Sequence, residues 1–281
     1  MKPTTLQLGP LRLQGFSQAG IETWFRVHPP GLAFEAGRGA PQVAGAADLF
    51  LTHGHLDHAL GVPYVLSQRT RHQGEGTRIV CPAEVVAALE GFIRATAALE
   101  RTEYDYRIEA VAAGDRVAVG RDFEVEAFAT DHVVPSLGYH LVHRKHRLKE
   151  GYRGLAGPEL ARLRAEGVAT EEPVEELLLS YCGDTGAGIF DLDPRVFETQ
   201  VLLLECTFLD PGKRDSAARY KHLHFEDLAA RAERFGNRAI VLHHLSRRHR
   251  VADLRRLVEE RLPGLASRVH LLGEIETQEK A

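Results

Sequence analysis

Between Thr52 and His58 the chain reads Thr-His-Gly-His-Leu-Asp-His, directly after the apolar run 49–51. Three imidazoles and one carboxylate this close are ligands that suit zinc and its first-row neighbours. The spacing lets His53 and His55 share one face and leaves Asp57 and His58 for another, so two adjacent metals are expected. Such pairs commonly serve hydrolysis, because the ions make hydroxide near neutral pH and clamp both the attacking and the leaving oxygen. The plain alternatives are a solvated His-rich loop or a single structural metal. Structural zinc usually recruits cysteine, and Cys81, Cys182 and Cys206 form no Cys-x-x-Cys pair.

Strands must position these groups. Period-two segments at 6–8, 11–13, 22–27, 32–35, 49–51 and 78–80 read as strands, and 83–98, opened by Pro82, reads as a helix. A hairpin is expected at 115–119 and 123–128, joined at Gly120, followed by a strand at 139–143. Strands at 177–181, 201–205 and 239–242 are apolar enough to be buried on both faces, with helices at 225–235 and 251–261. Strands before helices in each half predict an α/β fold, a four-layer αββα sandwich. Nearly every polar motif falls just after a strand, where loops gather on one rim.

The missing ligands are therefore sought at other strand ends. His132, Asp184 and either His243 or His244 stand there. A carboxylate can bridge two ions, so Asp184 is the expected bridge between a His53, His55, His132 site and an Asp57, His58, His243/His244 site. Glu35 and Asp48 are placed to take the second N–H of ligand imidazoles, or equally to cap turns.

The chain has 281 residues, 44% of them hydrophobic, and no linker or fixed-period repeat, so one domain over 1–281 is expected, with a polar insertion at about 144–176. The N-terminus lacks the apolar core of a signal peptide and no run is long enough to span a bilayer. With three unpaired-looking cysteines, the expected setting is the cytoplasm, away from membranes. A net charge of −4 confines any nucleic-acid contact to a local patch: Arg144, Lys145, Arg147 and Lys149, or Arg247, Arg248 and Arg250.

The His-x-His-x-Asp-His at 53–58 resembles the shared element of the metallo-β-lactamase fold superfamily. Further stretches are similar to the ribonuclease Z family, which removes the 3′ trailer of precursor transfer RNA, and particularly to its short, plant-type form. They are Thr130-Asp-His-Val-Val-Pro-Ser-Leu-Gly-Tyr139, Gly183-Asp-Thr, Glu205-Cys-Thr-Phe-Leu-Asp210, His222-Leu-His-Phe-Glu-Asp and Leu242-His-His-Leu-Ser-Arg-Arg-His249. The resemblance implies a metallo-β-lactamase fold and two zinc ions, with manganese as an alternative. It makes His53, His55 and His132 ligands of one ion and Asp57, His58 and His244 ligands of the other, bridged by Asp184. It selects His244 over His243, and gives His222, with His224 as its local rival, the role of general acid.

Glu205 would then orient His222, and Asp57 could also take the proton of the attacking water. Arg144, Lys145, Arg147 and Lys149 would track phosphate, and a homodimer acting on precursor transfer RNA is implied. The family's long arm with its Gly-Pro element should lie between the His132 and Asp184 blocks. Here that segment is short, and its stretch 167–173 is acidic and lacks Gly-Pro. Asp131, His224 and His249 are further departures. The rival functions are a hydrolase of small phosphodiesters such as cyclic nucleotides, one of another ester class, and a silent RNA-binding module.

Overall fold

A computed structural model describes residues 3–72 and 76–272. The first sheet runs in chain order through β1 (Thr4–Leu8), β2 (Leu11–Gln18), β3 (Glu22–His28), β4 (Leu32–Phe34), β5 (Asp48–Phe50), β6 (Thr77–Pro82) and β7 (Tyr106–Val111). The second runs through β8 (Arg116–Val119), β9 (Phe123–Ala129), β10 (Leu137–Leu148), β11 (Glu171–Tyr181), β12 (Val201–Glu205), β13 (Ala239–His243) and β14 (Val269–Leu271). In each sheet the first four strands pair antiparallel and the rest are added in parallel. The two halves thus share one topology, although no sequence repeat announces it.

Alternation explains the layering. Leu203 and Val241 face inward onto Phe25, Phe34, Phe50, Tyr139 and Tyr181, while Leu202, Leu204, Ile240 and Leu242 face outward onto Leu228, Leu254 and Val258 of the outer helices. On the other side, Leu49, Leu51 and Ile79 pack under the helices Val62–His72 and Val86–Glu100. The parallel connections need these crossovers, and the four-layer αββα sandwich follows. The helix expected at 225–235 ends at Ala229, and the chain re-coils only as a short turn at Ala232–Arg234. There Arg231 and Arg234 lie over the rings of Phe190 and Phe197.

The insertion is an arm. Past His143, β10 leaves the body and its residues become exposed, paired with β11 as a two-stranded ribbon tipped by the helix Gly157–Ala165. The arm does hold a Gly-Pro pair: Gly157-Pro158 forms the first turn of that helix, so the reading of 167–173 alone missed it.

Candidate metal centre

The strands β4, β5, β9, β11, β12 and β13 end on one rim, and each delivers a polar side chain there. His53, His55, His132 and Asp184 each offer a donor atom within 4.8 Å of the others, and Asp57, His58 and His244 do the same. Asp184 stands between the groups, with Oδ1 3.4 Å from His58 Nε2 and Oδ2 3.3 Å from His244 Nε2 and 3.8 Å from His53 Nε2. His132 Nε2 lies 3.3 Å from His55 Nδ1, and His244 Nε2 lies 3.4 Å from Asp57 Oδ2. The backbone N–H of Gly20 donates to Asp57 Oδ2 at 2.9 Å.

His53 Nε2, His58 Nε2 and Asp184 Oδ1 are buried without a hydrogen-bond partner. Each such orphan costs about 1–3 kcal/mol, so three aimed at one another fit a cation better than an empty apolar core. Burial, and then His58, holds the His53 imidazole well below its ordinary range. Burial pushes Asp184 up, but the His244 and His58 imidazoles outweigh it and keep the carboxyl well below the usual range. His58 itself is driven down by burial and, on balance, well up by Asp184 and Glu35. A metal requires mostly neutral imidazoles and an ionised carboxylate.

Hydrogen bonds behind the cluster fix which nitrogen faces inward. The Thr52 hydroxyl donates to Glu35, so it accepts from His53 Nδ1–H at 2.9 Å. The Thr207 hydroxyl donates to Glu205 and accepts from His244 Nδ1–H at 2.9 Å. His132 Nδ1–H donates to the Lys221 carbonyl at 3.2 Å. Each ring therefore turns a bare Nε2 toward the centre. The two threonines and the Lys221 carbonyl escaped sequence reasoning; for Thr52 the available signal was its place at a strand end beside the His block.

Of the two expected supporting carboxylates, only Glu35 serves, with Oε1 3.3 Å from His58 Nδ1 and a bond from the Tyr181 hydroxyl at 3.1 Å. Asp48 instead binds Arg78 Nε at 2.6 Å. His243 is buried against Phe25 and Tyr181, 3.3 Å from Ser17 Oγ, and does not join the cluster. His244 does, in a left-handed backbone conformation with φ 59°.

His222 Nδ1–H donates to Glu205 Oε1 at 2.8 Å, and its ring lies 5.3 Å from that of His132 and 5.4 Å from that of His244. Burial pushes His222 down, but Glu205 outweighs it and lifts the imidazole to about 9. His224 is occupied elsewhere: Nδ1 accepts the Glu226 N–H and Nε2–H donates to the Asp210 carbonyl, capping a helix.

Two hollows flank the centre. One of about 350 Å³ is walled by His222, Asp131, Lys221, Arg214, Asp215 and Asp227. The other, of about 380 Å³, is lined by Ala19, Phe208, Ser246, Arg247 and Arg248, and both arginines lack an ion pair among the described residues. The arm cations lie away from both, roughly 23–40 Å along the chain from Leu137 at about 3.3 Å per residue. There Arg144 pairs with Glu124 at 2.9 Å, Arg147 with Glu172 at 2.9 Å, and Lys145 with Glu176. Lys149 follows the ribbon, its N–H bonded to the Thr170 carbonyl at 3.0 Å. Over 144–176 the arm carries seven basic and seven acidic residues and so has no net charge.

Among known proteins, residues 23–245 match the beta-lactamase superfamily domain. The tRNase Z TRZ1 of Arabidopsis thaliana is 29% identical over 274 residues, covering 96% of this chain and 98% of that one. The ribonuclease Z of Thermobifida fusca is 34% identical over 230 residues, 75% of this chain and 70% of its own. The metallo-beta-lactamase fold protein YhfI of Bacillus subtilis has a similar structure, with a TM-score of 0.63 at 13% identity over 93% of this chain and 96% of that one. By these likenesses the chain belongs to the beta-lactamase superfamily and, within it, to the ribonuclease Z family.

Proposed function

We propose that this protein is a metal-dependent endoribonuclease that removes the 3′ trailer from precursor transfer RNA. The observation that carries the reading is His222, held by Glu205 beside a buried His/Asp cluster whose bare nitrogens converge. We assign two zinc ions, with manganese as the alternative: His53, His55 and His132 would hold one, Asp57, His58 and His244 the other, and Asp184 both. When bound, such ions supply an acidified water and offset charge on a phosphoryl group.

The chain's own residues do the rest. As a water oxygen bonds to phosphorus and the P–O3′ bond breaks, His222 gives its Nε2 proton to the departing 3′-oxygen, and Glu205 stabilises the imidazolium beforehand. Asp57, steadied by the Gly20 N–H, accepts the water's proton. Arg247 and Arg248, without an ion pair among the described residues, face the phosphates of the strand. Arg144, Lys145, Arg147 and Lys149 track more distant phosphates by exchanging exposed carboxylate partners for phosphate, a nearly neutral trade because such surface pairs are worth only about 0–1 kcal/mol.

We read residues 1–281 as one domain, acting as a homodimer; the exposed Leu56, Leu60 and Tyr64 beside the cluster support a partner surface. Cys81, Cys182 and Cys206 are free and buried, which supports a cytoplasmic setting. No helix of the described residues is long and apolar enough to cross a membrane. The test is to incubate zinc-loaded protein with labelled precursor transfer RNAs and with bis-(p-nitrophenyl) phosphate. A cut at the discriminator nucleotide is expected, whereas turnover of the small ester alone would transfer the site to small phosphodiesters.

A further inference from the structure

The two hollows beside the metal centre differ in charge, and that difference gives the substrate strand a direction. The Arg247/Arg248 hollow is lined by cations and, among the described residues, by no carboxylate, so it suits phosphate. The His222 hollow contains Asp131, Asp215 and Asp227 against Arg214 and Lys221. Lys221 pairs with Asp131 and Arg214 with Asp227, and with the His222 imidazolium the charges there balance, so this hollow draws phosphate less than the arginine pair does while its carboxylates accept hydrogen bonds from hydroxyl and amino groups.

Asp131 is fixed for that task. Its backbone N–H donates to the Thr185 hydroxyl at 3.1 Å, and its carbonyl accepts the Gly186 N–H at 2.7 Å. One carboxylate oxygen, Oδ1, is engaged by Lys221 Nζ at 2.9 Å. The other, Oδ2, lies against Gly186 and Gly188, where an added Cβ would come within 2.8 or 2.7 Å of it. Lys221 also holds the ring of His132 through its carbonyl. The same short segment therefore sets a cluster imidazole, the wall of the hollow and, one residue on, His222.

We propose that the His222 hollow is a ribonucleoside subsite in which Asp131 Oδ2 accepts a hydrogen bond from the 2′-hydroxyl of the nucleotide whose 3′-oxygen departs. The assignment rests on the phosphodiesterase reading above, because His222 must reach that 3′-oxygen and the 2′-hydroxyl is its neighbour on the sugar. At about 350 Å³ the hollow has room for a nucleoside. The strand then runs from this subsite, across the centre, onto Arg247 and Arg248, and Asp131 becomes a residue that tells RNA from DNA at one position.

The experiment compares kcat/KM of the zinc-loaded protein on a precursor transfer RNA and on the same RNA carrying a single 2′-deoxy nucleotide immediately 5′ of the cut. Wild type should prefer the all-ribo substrate by about tenfold or more, the size of one lost hydrogen bond to a charged acceptor. Asp131→Ala, which leaves no group there to bond the 2′-hydroxyl, should cut the two at nearly equal rates. A purely electronic effect of the 2′-hydroxyl on the leaving oxygen would survive that substitution and overturn the proposal, as would equal wild-type rates. Product inhibition supplies a measurement on wild type alone: an RNA ending in a 2′,3′-diol should inhibit more strongly than its 2′-deoxy counterpart, and equal inhibition counts against the subsite. Failure to cut either RNA sinks the underlying endoribonuclease reading, an outcome distinct from cleavage without discrimination.

Discussion

Glu205 Oε1 lies 2.8 Å from His222 Nδ1 and also accepts the Thr185 N–H at 2.8 Å, while Oε2 takes the Thr207 hydroxyl that receives His244 Nδ1–H. One fully buried carboxylate thus sets the tautomer of an imidazole inside the cluster and the charge of an imidazole beside it. Ligand geometry and proton supply share a single support.

His222→Ala should keep its metal and lose phosphodiester cleavage by about a hundredfold or more, the usual yield of general acid catalysis. Glu205→Gln should move the alkaline limb of the rate profile. Because Glu205 raises His222 to about 9, the acid form dominates below that pH and disappears as pH rises through it. Cations in the adjacent cluster oppose the imidazolium, so about 9 is an upper bound for the loaded enzyme, and without Glu205 the limb shifts toward neutrality. Metal content by atomic absorption and rates between pH 6 and 10 decide; an unchanged limb in Glu205→Gln would remove Glu205 from the proton path.

Metal binding should be readable as stability. Loading satisfies His53 Nε2, His58 Nε2 and Asp184 Oδ1 in the native state only, so saturating zinc should add about 3–4 kcal/mol at 100 to 1,000 times the dissociation constant. Melting should fall by several degrees on chelation and recover with zinc. Asp184→Asn should blunt the response, since it weakens the acceptor shared by both groups. A melting temperature indifferent to chelator would show that the cluster holds no ion.

The fold was largely legible because strand alternation and the buried parallel runs are strong signals. Missed elements had weak ones: the helix Val62–His72 turns polar over Ser67, Gln68, Arg69, Thr70 and Arg71 in its second half, and β7 alternates charge with partly covered side chains. The short β14 and the helix Arg214–Tyr220 also passed unread. The cluster residues were readable as His and Asp at strand ends. The choice between His243 and His244 was not, because it turns on a positive φ at His244 that no periodicity encodes. Charge was the least legible property: the run 144–149 looks basic in sequence, yet pairing across the ribbon brings Glu172 and Glu176 to meet it.

Replacing Arg144, Lys145 and Arg147 together by Ala tests whether the arm trades its carboxylates for phosphates. If it does, the slope of log affinity for precursor transfer RNA against log salt should shrink by about 2–3, at about 0.7–0.9 per lost phosphate contact. If these cations serve only Glu124, Glu176 and Glu172, the slope stays where it was. Filter binding between 50 and 300 mM salt distinguishes the two, and an unchanged slope would leave Arg247 and Arg248 as the phosphate contacts nearer the centre.

Away from the centre, His140 joins the second sheet to the segment before β12. Its Nδ1 accepts the Ser180 hydroxyl at 2.7 Å and its Nε2–H donates to Asp193 Oδ2 at 3.0 Å, while Arg195 Nη2 and Nε donate to the same carboxylate at 2.7 and 3.0 Å. Burial pushes the Asp193 carboxyl up, but His140 and Arg195 outweigh it and hold it below the usual carboxylate range. A carboxyl lowered on folding contributes stability that is complete above its unfolded pKa of about 3.9 and is lost as pH falls through the folded value. Asp193→Asn should therefore cost about 1–3 kcal/mol at pH 7, from weakened hydrogen bonds to charged groups. That cost should shrink by about 1 kcal/mol at pH 3, because the wild type alone pulls its proton equilibrium that far. Urea unfolding at the two pH values measures it, and an equal cost at both would mean that Asp193 acts through shape rather than charge.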